Sequence, residues 1–425
     1  MFRCITVALV CAAAWSLAQA ASADPSARAP VRKVTLEEAV ARAIDAAPGL
    51  RAREELIAGA EAQVRQGGAW PNPTLEGELE NFAGSGRFSD LDESELTLSL
   101  TQRFEREGKR EGRVAVAQGE REGAVLEHER TRLNVAFDAR KAYIEAFAAA
   151  VALDNADARL AGAKQIEAMA ARRVAAARDP VMVRLRAEIQ TAEAHAAREL
   201  VLHELHHAKR TLAVLWADPE ATFEVDKSAL NTPPAAMGHG IEAPTSPDVA
   251  AREIAARKAA SKLALEQANA RSDVSVGAGI RRFENGGDVA AVVSLSVPLA
   301  IFDSNQGNID RAAAERRAAE FEVADARKRL DISLLALEEE AFRAGAELDT
   351  VRSQLLPRAK NALAAARRGY DAGAFSYQEV AEAQRILAEL STREINALKT
   401  LHIAHASLDR LLGRTVAAAN QGKKQ

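Results

Sequence analysis

Leu96-Thr97-Leu98-Ser99-Leu100-Thr101 alternates aliphatic and hydroxyl side chains with a period of two, and Val293-Ser294-Leu295-Ser296-Val297 repeats the pattern roughly 200 residues later. Alternation sends successive side chains to opposite faces of a strand. An aliphatic face opposed to a polar one suits a strand with lipid on one side and water on the other. Each stretch is the second member of a pair: strands are predicted over 74–82 and 95–104, and again over 273–281 and 289–299. A soluble sandwich with one buried face would give a similar single strand. Here only four such strands occur, and helical runs too long for a globular core flank each pair. Four strands cannot close a barrel, because the smallest membrane barrels need about eight. Several copies of the chain are therefore required, and function belongs to an oligomeric pore.

The helices follow from the strands outward. Thr35-Leu36-Glu37-Glu38 reads as a capped helix start running to Gln66, ended by Gly67-Gly68 and Pro71-Asn72-Pro73. From Gly112 to Arg178 no proline interrupts a pattern with Leu126, Leu133, Phe137, Ile144, Phe147 and Val151 at heptad-like spacing, a rod of roughly 100 Å. Leu330, Leu334, Leu337, Ala341, Ala344, Leu348, Val351 and Leu355 repeat it in steps of four and three. Asp179-Pro180 breaks the first rod, Pro357 and the Gly369–Gly373 stretch break the second, and each returns as another helix ending near Leu215 and Leu412.

Composition narrows the class. Residues 1–23 look like a cleaved secretory signal: Arg3, an apolar stretch from Ile5 to Leu17, and Ala18-Gln19-Ala20 as a cleavage site. Both cysteines, Cys4 and Cys11, lie inside it, and Val10 before Cys11 argues against a lipid anchor. No apolar run after it reaches the about 18 residues of a membrane-spanning helix, so any crossing must use strands. The net charge of −4, with acids and bases alternating along the helices, argues against a nucleic-acid surface. Aromatics at 4% and abundant alanine suit long, closely packed helices. The expected organisation is a signal over 1–23, a first repeat over 24–217, a Pro-rich connector over 218–247, a second repeat over 248–413, and a polar, disordered tail over 414–425.

Two constellations carry candidate chemistry. Glu76, Glu78 and Glu80 share one face of the first strand, opposite Leu75 and Leu79. Carboxylates are costly in hydrocarbon, so this face should line the lumen, where copies would form an acidic ring favouring cations. The alternative is a merely polar lining. His203-Glu204-Leu205-His206-His207 matches the H-E-x-x-H pattern of zinc proteases, in which two imidazoles hold zinc and the glutamate activates water. It sits late in an Ala- and Leu-rich rod with no sign of a substrate cleft. His195, Glu199, His203 and His207 step by four along one face, with His206 adjacent and His402 at a corresponding place in the second repeat. A solvated polar face is the first reading and a non-catalytic metal site at His195, His203, His206 and His207 the second. No catalytic residue and no cofactor are expected.

The chain resembles the TolC-like outer-membrane efflux channels, and within them the heavy-metal efflux branch of CzcC and CusC type. The resemblance rests on Leu36-Glu37-Glu38-Ala39 with Pro48; Ala69-Trp70-Pro71-Asn72-Pro73; Gly108-Lys109-Arg110; Pro298-Leu299 with Phe302-Asp303 and Gly307; Gly369-Tyr370 with Gly373, Ser376 and Glu379; Ala383-Gln384; and Leu408 to Gly413. It covers 35–413. It implies a mainly α fold with a small β part: a homotrimer whose four strands per chain make a twelve-stranded transmembrane barrel, continuous with a periplasmic α-helical tunnel of long hairpins. The implied role is the passive outer-membrane exit duct of a tripartite pump, with a periplasmic adaptor and an inner-membrane RND pump as partners and heavy-metal cations as passengers. Drugs or a secreted polypeptide are the alternative passengers. The resemblance places Arg367, Arg368, Tyr370 and Asp371 at the periplasmic tip, where ion pairs between subunits would hold a gate shut. A plain helix C-cap is the alternative. Two departures stand out. The turn Ala177-Arg178-Asp179-Pro180-Val181 lacks the expected glycine, and Trp216-Ala217 stands where the second repeat has Leu412-Gly413.

Overall fold

The structure is a computed structural model describing residues 32–106, 108–234 and 246–414. The signal over 1–23, residues 235–245 of the connector and the tail from 415 onward lie outside the described residues. The elements in chain order are β1 (Arg32–Val34), α1 (Leu36–Ala46), α2 (Pro48–Gly67), β2 (Thr74–Glu80), β3 (Glu95–Phe104), α3 (Lys109–Ala175), α4 (Val181–Leu215), β4 (Phe223–Val225), α5 (Ser228–Asn231), α6 (Pro247–Asn269), β5 (Val274–Phe283), β6 (Val289–Ser296), α7 (Gln306–Thr350), α8 (Leu356–Ala372) and α9 (Tyr377–Leu411).

The four predicted strands form one antiparallel sheet in the order β2-β3-β5-β6. Their ends differ from expectation by up to three residues: β2 stops at Glu80 and β6 at Ser296, since Asn81 turns left-handed (φ 58°) and Pro298 cannot donate to a ladder. At 67 residues, α3 is a rod of about 100 Å. Its first half packs against α2 and α6, and its second against α4 and α9. The helices therefore lie side by side in the same order as the strands they feed. Among the described residues no helix is long and apolar enough to cross a membrane.

Three expectations about the helices need correction. The single helix from Thr35 to Gln66 is two, because Pro48 forces Ala47 into an extended conformation (φ −72°, ψ 108°) and starts α2 anew. Pro357 does not break the second rod. One π-type turn, Val351–Leu355, absorbs the missing N–H, and the chain runs on from α7 into α8. The connector is not a plain linker at its start: β4 pairs parallel with β1, a contact too short to leave a period in the sequence.

That small sheet closes the largest core, where α1, α3, α4, α7 and α9 meet. Tyr143, fully buried on α3, donates from its hydroxyl to the carbonyls of Val34 (2.9 Å) and Asp226 (3.1 Å), tying both short strands to the rod. Burial pushes its phenol up to about 12. The indole N–H of Trp216 donates to the Ala39 carbonyl at 2.9 Å. The heptad positions Leu334, Ala341, Ala344, Leu348 and Val351 are all buried, as their spacing requires.

All four long-helix ends use the same motif. In each, an amide just past the helix bonds the carbonyl five residues back while the residue before it turns left-handed: Arg178 to Arg173, Asp218 to Ala213, Ala374 to Gly369 and Arg414 to Asp409. The left-handed residue is glycine in the second repeat (Gly373, φ 79°; Gly413, φ 68°) and alanine in the first (Ala177, φ 55°; Ala217, φ 56°). The missing glycines thus leave the geometry unchanged and put a steric cost of roughly 1 kcal/mol on each alanine.

Candidate functional site

The sheet has one aliphatic and one polar face, fixed by register. Leu75 opposes Leu100, which opposes Ala278, which opposes Val293, and none of these carries charge. Leu75 (74%), Val293 (79%) and Leu295 (70%) are far more exposed than a water-facing sheet tolerates. On the other face Glu76, Glu78 and Glu80 oppose Ser99, Thr97 and Glu95, which oppose Gly279, Arg281 and Phe283. The three glutamates do share the polar face. They are not equivalent, because Arg281 on β5 reaches Glu80 (3.2 Å) and Glu95 (2.9 Å) and also donates to Thr97 (2.9 Å). Glu76 and Glu78 have no ion-pair partner among the described residues. Arg281 was missed in the sequence, although it is the one base on the polar face between Ser275 and Phe283, visible by counting twos from Gly277.

At the far end of the hairpins, α8 ends at the left-handed Gly373, and Ser376 with Glu379 forms a reciprocal cap that starts α9. The first-repeat turn answers differently. Arg173 grips Asp179 with two bonds (2.9 and 3.0 Å), and the Tyr370 hydroxyl donates to the same carboxylate at 2.7 Å. Arg173 also donates to the Tyr370 carbonyl (2.8 Å) and lies 4.8 Å over its ring. Hydrogen bonding to Arg173 holds the Asp179 carboxyl below its ordinary range, and desolvation with the Asp179 bond pushes the Tyr370 phenol up. Asp179, outside the predicted site, is therefore the hub joining the two hairpin turns of one chain.

The four predicted tip residues part company. Tyr370 is buried and committed to Asp179. Arg367 turns toward its own α3, against Gly162 and within 3.5 Å of the Gln165 side-chain oxygen, with its Nε buried and unpartnered; desolvation lowers its pKa. Arg368 and Asp371 are exposed, and neither has an ion-pair partner among the described residues.

His195, His203, His206 and His207 are exposed on α4. Leu205 faces the core, and His203 and His207, two residues to either side of it, lie on the opposite face of the helix. Among the described residues no group of three or more histidine, cysteine, aspartate or glutamate side chains is placed to hold a metal ion. His402 does not join them. It is buried with Nε2 2.8 Å from the Leu230 carbonyl, and burial pushes its imidazole down to about 4.

An amphipathic membrane sheet with two open edges, set on helical hairpins of about 100 Å, defines a subunit of an outer-membrane channel. The profile described as outer membrane efflux protein matches residues 39–218 and 243–414. The chain belongs to the outer membrane efflux protein family. It is 28% identical over 388 residues to the cobalt-zinc-cadmium resistance protein CzcC of Cupriavidus metallidurans, covering 90% of each chain. With the nickel-cobalt-cadmium resistance protein NccC of Alcaligenes xylosoxydans xylosoxydans it shares 27% identity, over 74% of this chain and 69% of that one. In fold it is similar to a crystal structure of CusC (TM-score 0.77, 16% identity, 90% of this chain and 93% of that one). The outer membrane protein VceC of Vibrio cholerae is also similar (TM-score 0.72, 19% identity, 89% and 96%).

Proposed function

We propose that three copies of the chain form a passive exit duct for heavy-metal cations. The observation that carries the assembly is the four-stranded sheet, whose β2 and β6 edges are unpaired among the described residues. An open edge in lipid leaves backbone groups unsatisfied at several kcal/mol each, so β6 of one copy must meet β2 of the next. Three copies supply twelve strands. The helical edges agree: α4 exposes Leu185, Ile189 and Leu200, and α7 exposes Phe321, Ile332 and Leu335, aliphatic and aromatic stripes that a neighbour would cover. The resistance proteins similar to this chain are named for cobalt, zinc, cadmium and nickel, which supports metals over drugs or a polypeptide as passengers.

In this reading the polar sheet face lines the pore, with Glu76 and Glu78 as its free acids. The tip belongs to the periplasmic end, where Arg368 and Asp371 remain available to neighbouring subunits. A periplasmic adaptor and an inner-membrane RND pump would supply selection and energy, and the duct itself performs no catalysis. Mass-resolved light scattering of detergent-extracted protein should give three chains, and a strain lacking the protein should become sensitive to metal ions screened one by one. A stable monomer that conducts would overturn the assembly. Unchanged metal tolerance with new drug sensitivity would overturn the passenger.

A further inference from the structure

We infer that Arg281 sets the charge of the pore lining, acting as a built-in brake on its cation preference. The inference rests on the reading that the polar sheet face lines the lumen. On that face each chain places Glu76, Glu78, Glu80 and Glu95, with Arg281 as the base that pairs with them; Arg103, on the same face at the helix end of β3, lies instead 4.0 Å from Asp273. Strands β2 and β5 are not neighbours. They are separated by β3, two strand spacings or about 9.6 Å apart. Arg281 nevertheless closes on Glu80 of β2 at 3.2 Å while bonding Glu95 (2.9 Å) and Thr97 (2.9 Å) of the strand between. Its side chain therefore lies flat across β3 over the polar face. A guanidinium lying flat on the wall is a fixed positive charge at the water boundary, only 29% exposed and held by three acceptors.

The space for it is built into the same strand. Gly277 and Gly279 precede Arg281 on the polar face, and a Cβ at Gly279 would come within 2.4 Å of the Leu98 carbonyl oxygen and 2.7 Å of Ser99 Cβ. The backbones are pressed together there, leaving the arginine as the only long side chain of β5 between Ser275 and Phe283 on that face. Its position is also one-sided. Glu80 and Glu95 lie at the hairpin end of the sheet, whereas Glu76 and Glu78, nearer the helices, have no ion-pair partner among the described residues. Fully ionised, the polar face of the four strands carries four acids and two bases per chain, Arg281 among the acids and Arg103 at the helix end. Replacing Arg281 makes each chain's lining more negative by one charge, and symmetry repeats the change.

The test is the reversal potential of the full-length protein in planar bilayers under a potassium chloride gradient. Arg281→Gln should raise the cation-to-anion permeability ratio, roughly doubling it. Arg281→Lys keeps the charge and should match the unmodified channel, which separates charge from bridging geometry. Should R281Q fail to assemble, E80Q/E95Q/R281Q leaves no charge unpaired at the cluster. That triple variant should be more cation-selective than E80Q/E95Q. A permeability ratio unmoved or lowered in R281Q, or equal in the triple and double variants, overturns the inference. Inserted, trimeric protein that does not conduct at all would instead overturn the duct reading on which it rests.

Discussion

Asp179→Asn should loosen the tip of each hairpin pair without touching the rest of the fold. Asp179 accepts two bonds from Arg173 (2.9 and 3.0 Å) and one from Tyr370 (2.7 Å), with both ion-pair side chains about seven-eighths covered (13% and 14% exposed). Hydrogen bonds to a charged group are worth about 1.5–3 kcal/mol each when buried, and asparagine retains part of one. Water at a helix tip replaces some of the rest, so the loss is about 2 kcal/mol per chain. At 1.4 kcal/mol per factor of ten, amides of 173–180 and 366–376 should exchange roughly 30-fold faster in the detergent-solubilised protein. Tyr370→Phe removes one bond of the three, about 1 kcal/mol. Amides of 139–147 in the main core serve as the reference and should not change. The pH dependence has a definite sign. The folded carboxyl is held below the ordinary aspartate value of about 3.9, so the lock is complete above that value and is lost only as pH falls through the folded pKa. Protection should therefore be flat between about pH 7.5 and 5. Unchanged exchange at 173–180 in D179N would refute the assignment of Asp179 as the hub.

The remaining expectations are simpler. Ala177→Gly and Ala217→Gly each relieve a left-handed alanine and should stabilise by about 0.5–1 kcal/mol, raising the thermal midpoint, whereas Gly373→Ala and Gly413→Ala should lower it. Arg368→Ala combined with Asp371→Ala should raise single-channel conductance and antibiotic leakage at constant trimer level. Arg367→Ala should instead loosen the contact between α3 and α8, which hydrogen exchange along 159–166 would register.

Much of this was legible because the decisive signals are periodic. The two-residue alternation at 96–101 and 293–297 reports which face each side chain occupies, and the steps of four and three from Leu330 to Leu355 report a packed seam; both are set by local geometry. The shared face of Glu76, Glu78 and Glu80 followed from the same rule. What escaped depends on contacts between distant positions. Arg281 meets Glu80 across 201 positions and Asp179 meets Tyr370 across 191, and no period connects them. Strands β1 and β4, three residues each, are too short to leave one. Ala47 and Val351–Leu355 show the converse: proline was visible, but whether it splits a helix or is absorbed by a π turn is decided by packing around it.

The chemistry of the tip bears on what opening would cost. Arg368 and Asp371 are exposed, and exposed ion pairs contribute about 0–1 kcal/mol each. The lock on Asp179 lies inside each chain and is worth about 2 kcal/mol. If α8 and α9 swing away from α3 and α4 on opening, three such locks break together, at about 6 kcal/mol, leaving fewer than about one duct in ten thousand open by thermal motion alone. A partner would then have to bind the open tip that much more tightly than the closed one. If the hairpins instead move as pairs, the locks stay intact and only the exposed charges resist. The conductance of D179N separates the two. Raised conductance at full trimer level places the closing energy within the chain, whereas unaltered conductance with faster amide exchange places it between subunits at Arg368 and Asp371.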